Sequence, residues 1–128
     1  MRVLLDTHVL FFWALGSPRL SQRARRRIGD PSTEVLVSAA SAWEIATKHR
    51  LGKLPGVETL LRDLDDVLTS QGFCALPISV EHARRAGLLT HPHKDPFDRM
   101  LAAQALTEDV PLVSLDSIFD EMGVERIQ

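Results

Sequence analysis

The sequence of 128 residues contains one cysteine, no tyrosine and only 5% aromatic residues. A single cysteine, Cys74, forms no disulfide within the chain, which argues against a disulfide-stapled secreted domain and favours a reducing cytoplasm. Free cysteines are usually buried and inert, so Cys74 is expected to be a packing residue. No apolar run approaches the roughly 18 residues of a membrane span. Because Asp6 interrupts the apolar start early, a secretory signal is not expected either.

Neither sign of charge dominates the chain. Fifteen Lys and Arg stand against seventeen Asp and Glu, which gives a net charge of −2. This balance alone argues against a nucleic-acid partner. The charges are unevenly placed, however, because residues 19–27 hold five arginines and no acid, whereas residues 58–66 hold four acids and one arginine. Net charge therefore leaves the class of partner open.

The composition, 45% hydrophobic and 25% charged, is typical of one compact domain, here predicted to span residues 1–128. We find no internal repeat, no low-complexity stretch and no linker. The sequence also has no G-x-x-x-x-G-K-[ST], no G-x-G-x-x-G and no G-x-S-x-G motif. These absences argue against the common nucleotide-binding loops and against acyl transfer by a serine nucleophile.

Short apolar runs alternate with longer periodic segments along the chain. The apolar runs predict strands at 3–5, 35–37, 73–76 and 111–115, with a fifth at 124–127. Capping residues and helical periodicity predict helices at 7–15, 22–29, 41–51, 57–71 and 80–88, with one more from 96 onwards. This order favours an α/β fold, with a parallel sheet of four to five strands and helices on both faces. Ligand sites in such sheets lie beyond the carboxyl ends of the strands.

Four acids are predicted to meet at the carboxyl ends of the strands. Asp6 follows the first strand and Asp116 follows the fourth, while Glu44 and Asp98 lie in the first turns of helices entered from the same side. Carboxylates that converge without a partner repel one another. A Mg²⁺ or Mn²⁺ ion removes this conflict, because hard cations prefer carboxylate oxygens. A metal held in this way is typical of phosphodiester hydrolysis.

Each acid also has a purely local explanation. The S-x-x-E sequence that ends at Glu44 matches a capping box, in which the glutamate satisfies a backbone N–H. Asp95 resembles a helix cap and Asp98 an acid placed on the helix dipole. Asp6 is also consistent with a helix cap, and Asp116 with a turn residue. What favours a shared metal site is that all four acids are predicted at the same end of the strands.

Several neighbouring residues are candidates for supporting roles. Thr7 and Ser114 flank the acids and are candidates to orient them. Arg99 is consistent with pairing to the acids, with a phosphate contact, or with an ordinary solvated arginine. The H-x-H sequence at 91–93 has no companion at zinc-type spacing, which favours a loop. The apolar run at 9–13 is too continuous for one buried helix face, so part of it is expected to meet a partner chain.

Four stretches of the chain carry a resemblance to a known family. They are RVLLDTH at 2–8, SAASAWEIA at 38–46, HKDPFDRMLAAQA at 93–105 and LVSLD at 112–116. Together and in this order they resemble PIN-domain ribonucleases, and within these the VapC-type toxins of toxin–antitoxin pairs. The resemblance implies a PIN-like three-layer fold, a homodimer and a cognate antitoxin protein.

The resemblance also assigns roles to the acids. It implies metal ligands at Asp6, Glu44, Asp98 and Asp116, with Asp95 as the cap that aims its helix. The implied activity is that of a Mg²⁺- or Mn²⁺-dependent endoribonuclease. Attack on RNA by a metal-activated water is expected to leave a 5′-phosphate and a 3′-hydroxyl.

The arginine-rich segment supplies candidates for RNA contact, because charge-driven binding uses such clusters. The candidates are Arg23, Arg25, Arg26 and Arg27, for which a solvated helix face is the alternative. Two other functions stay open. One is a catalytically silent module that sequesters a partner through the apolar first helix. The other is a phospho-acceptor receiver domain, although the first strand ends in one acid and no lysine follows Lys94.

Overall fold

Strands and helices alternate along the chain in the computed structural model, which describes residues 1–128. The elements in chain order are β1 (Arg2–Leu5), α1 (Thr7–Leu15), α2 (Gln22–Gly29), β2 (Glu34–Ser38), α3 (Ala39–Arg50), α4 (Glu58–Arg62), α5 (Leu64–Gln71), β3 (Cys74–Leu76), α6 (Val80–Leu88), α7 (Pro96–Glu108), β4 (Leu112–Val113), α8 (Ile118–Glu121) and β5 (Arg126–Ile127). The strands form one parallel sheet in the order β3-β2-β1-β4-β5. The predicted α/β architecture is therefore confirmed.

The register of the strands divides the core into two layers. Leu4 in β1 aligns with Leu36 in β2 and with Leu112 in β4. These three leucines pack against α7 and α8, whereas the alternate residues of the strands pack against the helices of the other face, α1 to α5. Side chains alternate across a strand, so a continuous apolar run supplies both faces at once.

Most helix ends lie where the sequence predicts them. Ser21 accepts a hydrogen bond from the Ala24 amide at the start of α2, and Ser79 caps α6 in the same way. Gly72 ends α5 in the left-handed conformation, at φ 70°. Glycine is suited to this position because it has no Cβ.

The start of α3 differs from the prediction. Strand β2 leads into α3 with no intervening loop, and Ser38 caps the helix by accepting from the Ala40 amide. Ser41 is inside the helix, so the predicted capping box from Ser41 to Glu44 is wrong. Glu44 lies in the second turn of α3, not in the first.

The helix predicted from residue 57 is divided into α4 and α5. The break is at Asp63, whose backbone leaves the helical region at φ −110° and ψ 24°. Aspartate is a poor residue for a helix interior. Both segments still bury their apolar residues against the same face of the sheet.

The structure bears on two expectations about exposure and corrects the one for Cys74. Cys74 is exposed, because β3 is an edge strand that pairs only with β2. The apolar run in α1 is mostly covered within the chain, since Val9, Leu10 and Phe12 are buried and Trp13 packs against the core. Phe11 and Trp13 are only partly buried, so the expectation that part of this run meets a partner chain stays a prediction. None of the helices has the length and apolar character needed to cross a membrane.

Candidate functional site

The acids predicted to converge line one cavity of about 530 Å³, whose walls include Asp6, Glu44, Asp98 and Asp116. Asp95 lines the same cavity. Asp6 immediately follows β1, and Asp116 lies just beyond β4. The cavity therefore opens at the carboxyl ends of the strands, where parallel sheets bind ligands.

Asp6 is buried at the junction of β1 and α1. Its backbone N–H donates to the Val113 carbonyl of β4, and its Oδ2 accepts from Ser114 Oγ at 2.6 Å. The side chain does not cap α1. Burial raises the pKa of Asp6 above its ordinary value, although the Ser114 hydrogen bond acts in the opposite direction. Asp6 is thus held by the sheet and free of a helix-capping role.

Glu44 is 2% exposed, and its two oxygens have different surroundings. Oε2 accepts from Lys48 Nζ at 2.5 Å, one helical turn away. Oε1 is buried and has no hydrogen-bond partner. Thr7 Oγ1 lies 2.9 Å from Ser41 Oγ, a contact that joins α1 to α3 next to both acids. One oxygen of a fixed carboxylate therefore remains available to a ligand.

Asp98 lies in the first turn of α7, and its Oδ2 is 2.8 Å from His93 Nε2. Burial raises the pKa of Asp98 to about 6, and the His93 hydrogen bond opposes this rise. The charges of three other carboxylates add to the rise: Asp95, Asp6 and Glu44. The acids are therefore close enough to disfavour one another's ionisation.

Asp95 and Asp116 both serve the local backbone. Asp95 Oδ1 accepts from the amides of Phe97 and Asp98, which makes it the N-cap of α7. Asp116 is exposed, and its Oδ1 accepts from the Ile118 amide. Its own amide donates to the hydroxyl that holds Asp6. Asp116 therefore lies at the exposed rim of the cavity, and Asp95 lines the cavity while it caps the helix of Asp98.

The donor set fits a hard divalent cation. An unpartnered buried carboxylate oxygen is unfavourable unless a cation or donor satisfies it, as at Glu44 Oε1. The ligand atoms of His93, Asp95 and Asp98 lie within 4.8 Å of one another, and no other trio of acidic, histidine or cysteine side chains is that close. Asp6 and Glu44 belong to no such trio, which suits Mg²⁺ because this ion retains several waters in proteins.

Comparison with known proteins shows which family has this fold. The family profile for the PIN domain matches residues 3–125. The chain belongs to the PIN domain family. Within it, a 73-residue segment is 42% identical to Ribonuclease VapC16 from Mycobacterium tuberculosis. That segment covers 54% of this chain and 50% of the relative, so the chain spans about half the length of the relative that it matches.

Solved structures share the fold of this PIN domain. A chain from VapBC2 of Rickettsia felis, bound to a DNA fragment from its promoter, has a TM-score of 0.73 at 16% identity, with 99% of this chain and 98% of that chain covered. VapC20 of Mycobacterium tuberculosis, a sarcin-ricin loop cleaving toxin, has a TM-score of 0.68 at 17% identity, with 98% of each chain covered. The predicted PIN-like architecture is therefore confirmed.

Arg99 of this PIN domain does not pair with the acids. Its guanidinium donates to five backbone carbonyls in and before the loop that leads to α7: Ala86, Gly87, Leu89, His91 and His93. The N–H donors of Arg99 are therefore engaged by carbonyls and not available to a phosphate, and the side chain is not an ordinary solvated arginine. It fixes the loop that carries His93 and Asp95.

The arginines of the segment 19–27 lie in two different places in the structure. The four arginines proposed for RNA contact lie on α2, and none of them lines the acidic cavity. Arg25 is occupied by the carbonyls of Ser17 and Leu20. Arg19, which precedes α2, does line the cavity.

Four side chains at the site were not assigned to it from the sequence: His8, Arg19 and Lys48, which line the cavity, and His93, which was expected only in a loop. Lys48 follows Glu44 at the i,i+4 spacing of helical ion pairs, which is a usable local signal. His93 lies two residues before the cap of α7, and its contact depends on how the loop folds back. Arg19 carries no local signal that separates it from the other arginines.

Proposed function

We propose that this PIN domain is a metal-dependent endoribonuclease toxin of a toxin–antitoxin pair. The observation that carries the proposal is the convergence of carboxylates in one cavity, where the buried Oε1 of Glu44 has no partner. The identity to Ribonuclease VapC16 supports RNA as the substrate. The structural likeness to a sarcin-ricin loop cleaving toxin is consistent with the same class of substrate.

Asp6, Glu44 and Asp98 would hold Mg²⁺ or Mn²⁺, with Asp116 completing the site at the rim. When bound, the ion supplies acidity to a water molecule and offsets charge on the phosphate oxygens. Ser114 positions Asp6 by donating to Oδ2. Other side chains of the site keep these carboxylates ionised and correctly oriented.

Two side chains adjust the charge of these acids. Lys48 neutralises one oxygen of Glu44 and leaves the other free. His93 orients Asp98 from the loop before α7. Because water and not the ribose 2′-hydroxyl is the proposed nucleophile, the products carry a 5′-phosphate and a 3′-hydroxyl.

The proposal includes partners and location. The resemblance to VapC-type toxins and the likeness to a chain of a VapBC2 complex support a cognate antitoxin. The homodimer rests on the resemblance alone. RNA hydrolysis and the single exposed thiol of Cys74 are consistent with a reducing cytoplasm.

Cleavage of RNA by the purified chain tests the proposal. We expect Mg²⁺ or Mn²⁺ to support cleavage, EDTA to stop it, and Asp6→Asn to reduce it about 100-fold or more. The matched control is Asp109→Asn, which removes one negative charge at an exposed left-handed helix cap that asparagine tolerates. Cleavage at the native rate by the Asp6 variant would contradict the site. A 2′,3′-cyclic phosphate on the products would contradict attack by water.

A chain that captures an antitoxin but never cleaves RNA would support the silent binding module. Metal titration separates the two functions, because an ion that binds only the folded chain raises its melting temperature. We expect Mn²⁺ to stabilise the native chain and to stabilise the Asp6 variant much less.

A further inference from the structure

The acidic cavity holds few side chains able to attract an RNA strand. Its walls combine five acids with three basic residues, which are His8, Arg19 and Lys48. An RNA strand carries one negative charge per nucleotide, and the chain itself has a net charge of −2. Productive approach of a phosphate to these carboxylates therefore depends on a cation at the cavity wall.

Lys48 and Arg19 differ in how far they are already engaged. Lys48 is committed to Glu44. Arg19 forms no salt bridge, and its guanidinium donates no hydrogen bond to the protein. An exposed arginine beside five acids that pairs with none of them keeps all of its N–H donors available.

The guanidinium of Arg19 is nevertheless held in place. Its Cζ lies 4.8 Å from the centroid of the Phe12 ring. Phe12 belongs to the buried core, so the surface under the arginine is fixed. Stacking of this kind uses the face of the guanidinium and leaves its edge free to bind.

The loop that carries Arg19 is fixed as well. Arg25 of α2 donates to the carbonyls of Ser17 and Leu20, which flank Arg19 on both sides. The Arg19 amide donates to Ser17 Oγ at 3.2 Å. One arginine of the cluster thus builds the loop that presents another at the cavity.

From these contacts we infer that Arg19 binds a phosphate of the RNA strand next to the metal-binding carboxylates. Its planar, permanently charged group matches the geometry of phosphate oxygens. The inference rests on the proposed ribonuclease function and assigns the RNA contact to Arg19 and not to the arginines of α2.

Salt-dependent RNA binding tests the inference. A labelled, short, mixed-sequence single-stranded RNA is titrated with the full chain carrying Asp98→Asn, so that the RNA stays intact. Adding Arg19→Gln is expected to raise Kd about three- to tenfold and to lower the slope of log K against log salt by about 0.7, the value for one phosphate contact on a single strand. Arg19→Lys keeps the charge and is expected to keep the slope.

The matched control is Arg84→Gln, which removes the same charge from α6, outside the cavity. Its slope is expected to equal that of the parent chain. If Arg19→Gln behaves like Arg84→Gln, the inference is overturned. Loss of Mn²⁺ binding by Arg19→Gln in an otherwise native chain would also overturn it, because the arginine would then be part of the metal site.

Kinetics separate this inference from the proposed function. In the otherwise native chain, Arg19→Gln is expected to raise KM with little change in kcat, the pattern of lost uniform binding. A fall in kcat at unchanged KM would contradict a binding role. If the native chain cleaves no RNA with either metal, the proposed function fails, whereas the binding titration still decides the role of Arg19.

Discussion

Two polar clusters lie at different positions along α7 and differ in how well their members are satisfied. Near the start of the helix, Asp98 faces other carboxylates, and its pKa is raised to about 6, chiefly by burial. Farther along, Gln104 is completely buried among hydrogen-bond partners. The same helix thus contributes to one cluster whose carboxylates disfavour one another's ionisation, and to another whose polar groups all have hydrogen-bond partners.

The paired cluster crosses the interface between α7 and its neighbours. Ser38 Oγ donates to Gln104 Oε1 at 2.5 Å, and Gln104 Nε2 contacts the Pro77 carbonyl and His82 Nδ1. His82 Nε2 in turn lies 3.0 Å from Glu108 Oε2. Buried polar groups with complete partners fix a fold, so this cluster serves structure.

The acidic cluster lacks such completeness. Glu44 Oε1 has no partner, and burial raises the pKa of Asp6 as well as that of Asp98. Proteins keep unfavourable arrangements of this kind where function requires them. The comparison therefore supports the acidic cluster as the functional site, because its buried carboxylates lower the stability of the fold when no cation satisfies them.

The largest expected effect on stability comes from removing a charge of the acidic cluster. In EDTA above pH 6, Asp98→Asn is expected to raise the free energy of unfolding by about 2 kcal/mol. Each unit of pKa shift corresponds to about 1.4 kcal/mol, and partial solvent exposure reduces the total. The substituted amide oxygen still accepts from His93. Thermal and urea unfolding measure the gain.

The same gain is expected to depend on pH in a defined direction. Because the pKa of Asp98 in the fold is raised from 3.8 to about 6, its ionised form costs stability at pH values above 6. Protonation removes this cost as the pH falls from 6 toward 4. The advantage of Asp98→Asn is therefore greatest above pH 6 and shrinks below it. Asp109→Asn serves as the control, and an equal gain from both variants would show that the effect is one of net charge.

A smaller effect, of opposite sign, is expected from the paired cluster. Gln104→Leu preserves volume but leaves the Pro77 carbonyl and the side chain of His82 with one partner fewer. We expect the free energy of unfolding to fall by about 1–2 kcal/mol at unchanged m value. RNA cleavage per folded molecule is expected to stay the same. Loss of cleavage at unchanged stability would instead make this cluster part of the site.

The control for that variant is Gln71→Leu. Gln71 is exposed, and its Oε1 accepts from Trp13 Nε1 at 3.0 Å. Exposed hydrogen bonds contribute little, so the change is expected to be within about 0.5 kcal/mol. The difference in free energy of unfolding between the two glutamine variants measures how much burial adds to the contribution of a glutamine hydrogen bond.

The sequence was sufficient to predict the sheet and the acids at its edge. Short apolar runs mark strands buried on both faces, and parallel strands place Asp6 and Asp116 at one edge. A local signal failed at the start of α3. The S-x-x-E sequence favours a cap at Ser41, but β2 passes into the helix without a loop, and Ser38 is the cap.

The remaining features depend on tertiary contacts that no local pattern contains. Arg19 and Arg25 belong to one cluster in the sequence, yet one is free at the cavity and the other is bound to carbonyls. Arg99 is a comparable case, since its loop carbonyls come together only after the chain folds back. Cys74 is exposed because its strand takes the edge of the sheet, which follows from strand order and not from composition.

The smallest expected effect separates two roles of Asp95, which caps α7 and also belongs to the trio with His93 and Asp98. Asp95→Ala removes the cap and is expected to lower the free energy of unfolding by about 1 kcal/mol. Asp95→Asn keeps a capping oxygen, so its stability is expected to stay within a few tenths of a kcal/mol of the parent.

Mn²⁺ calorimetry on the same variants decides between the two roles. If Asp95 only caps the helix, Asp95→Asn retains most of the affinity for the ion, whereas Asp98→Asn loses it. Equal loss in both variants would mean that the trio with His93 is itself the ion-binding site. The unpartnered oxygen of Glu44 would then require a different explanation, because the ion would no longer be the group that satisfies it.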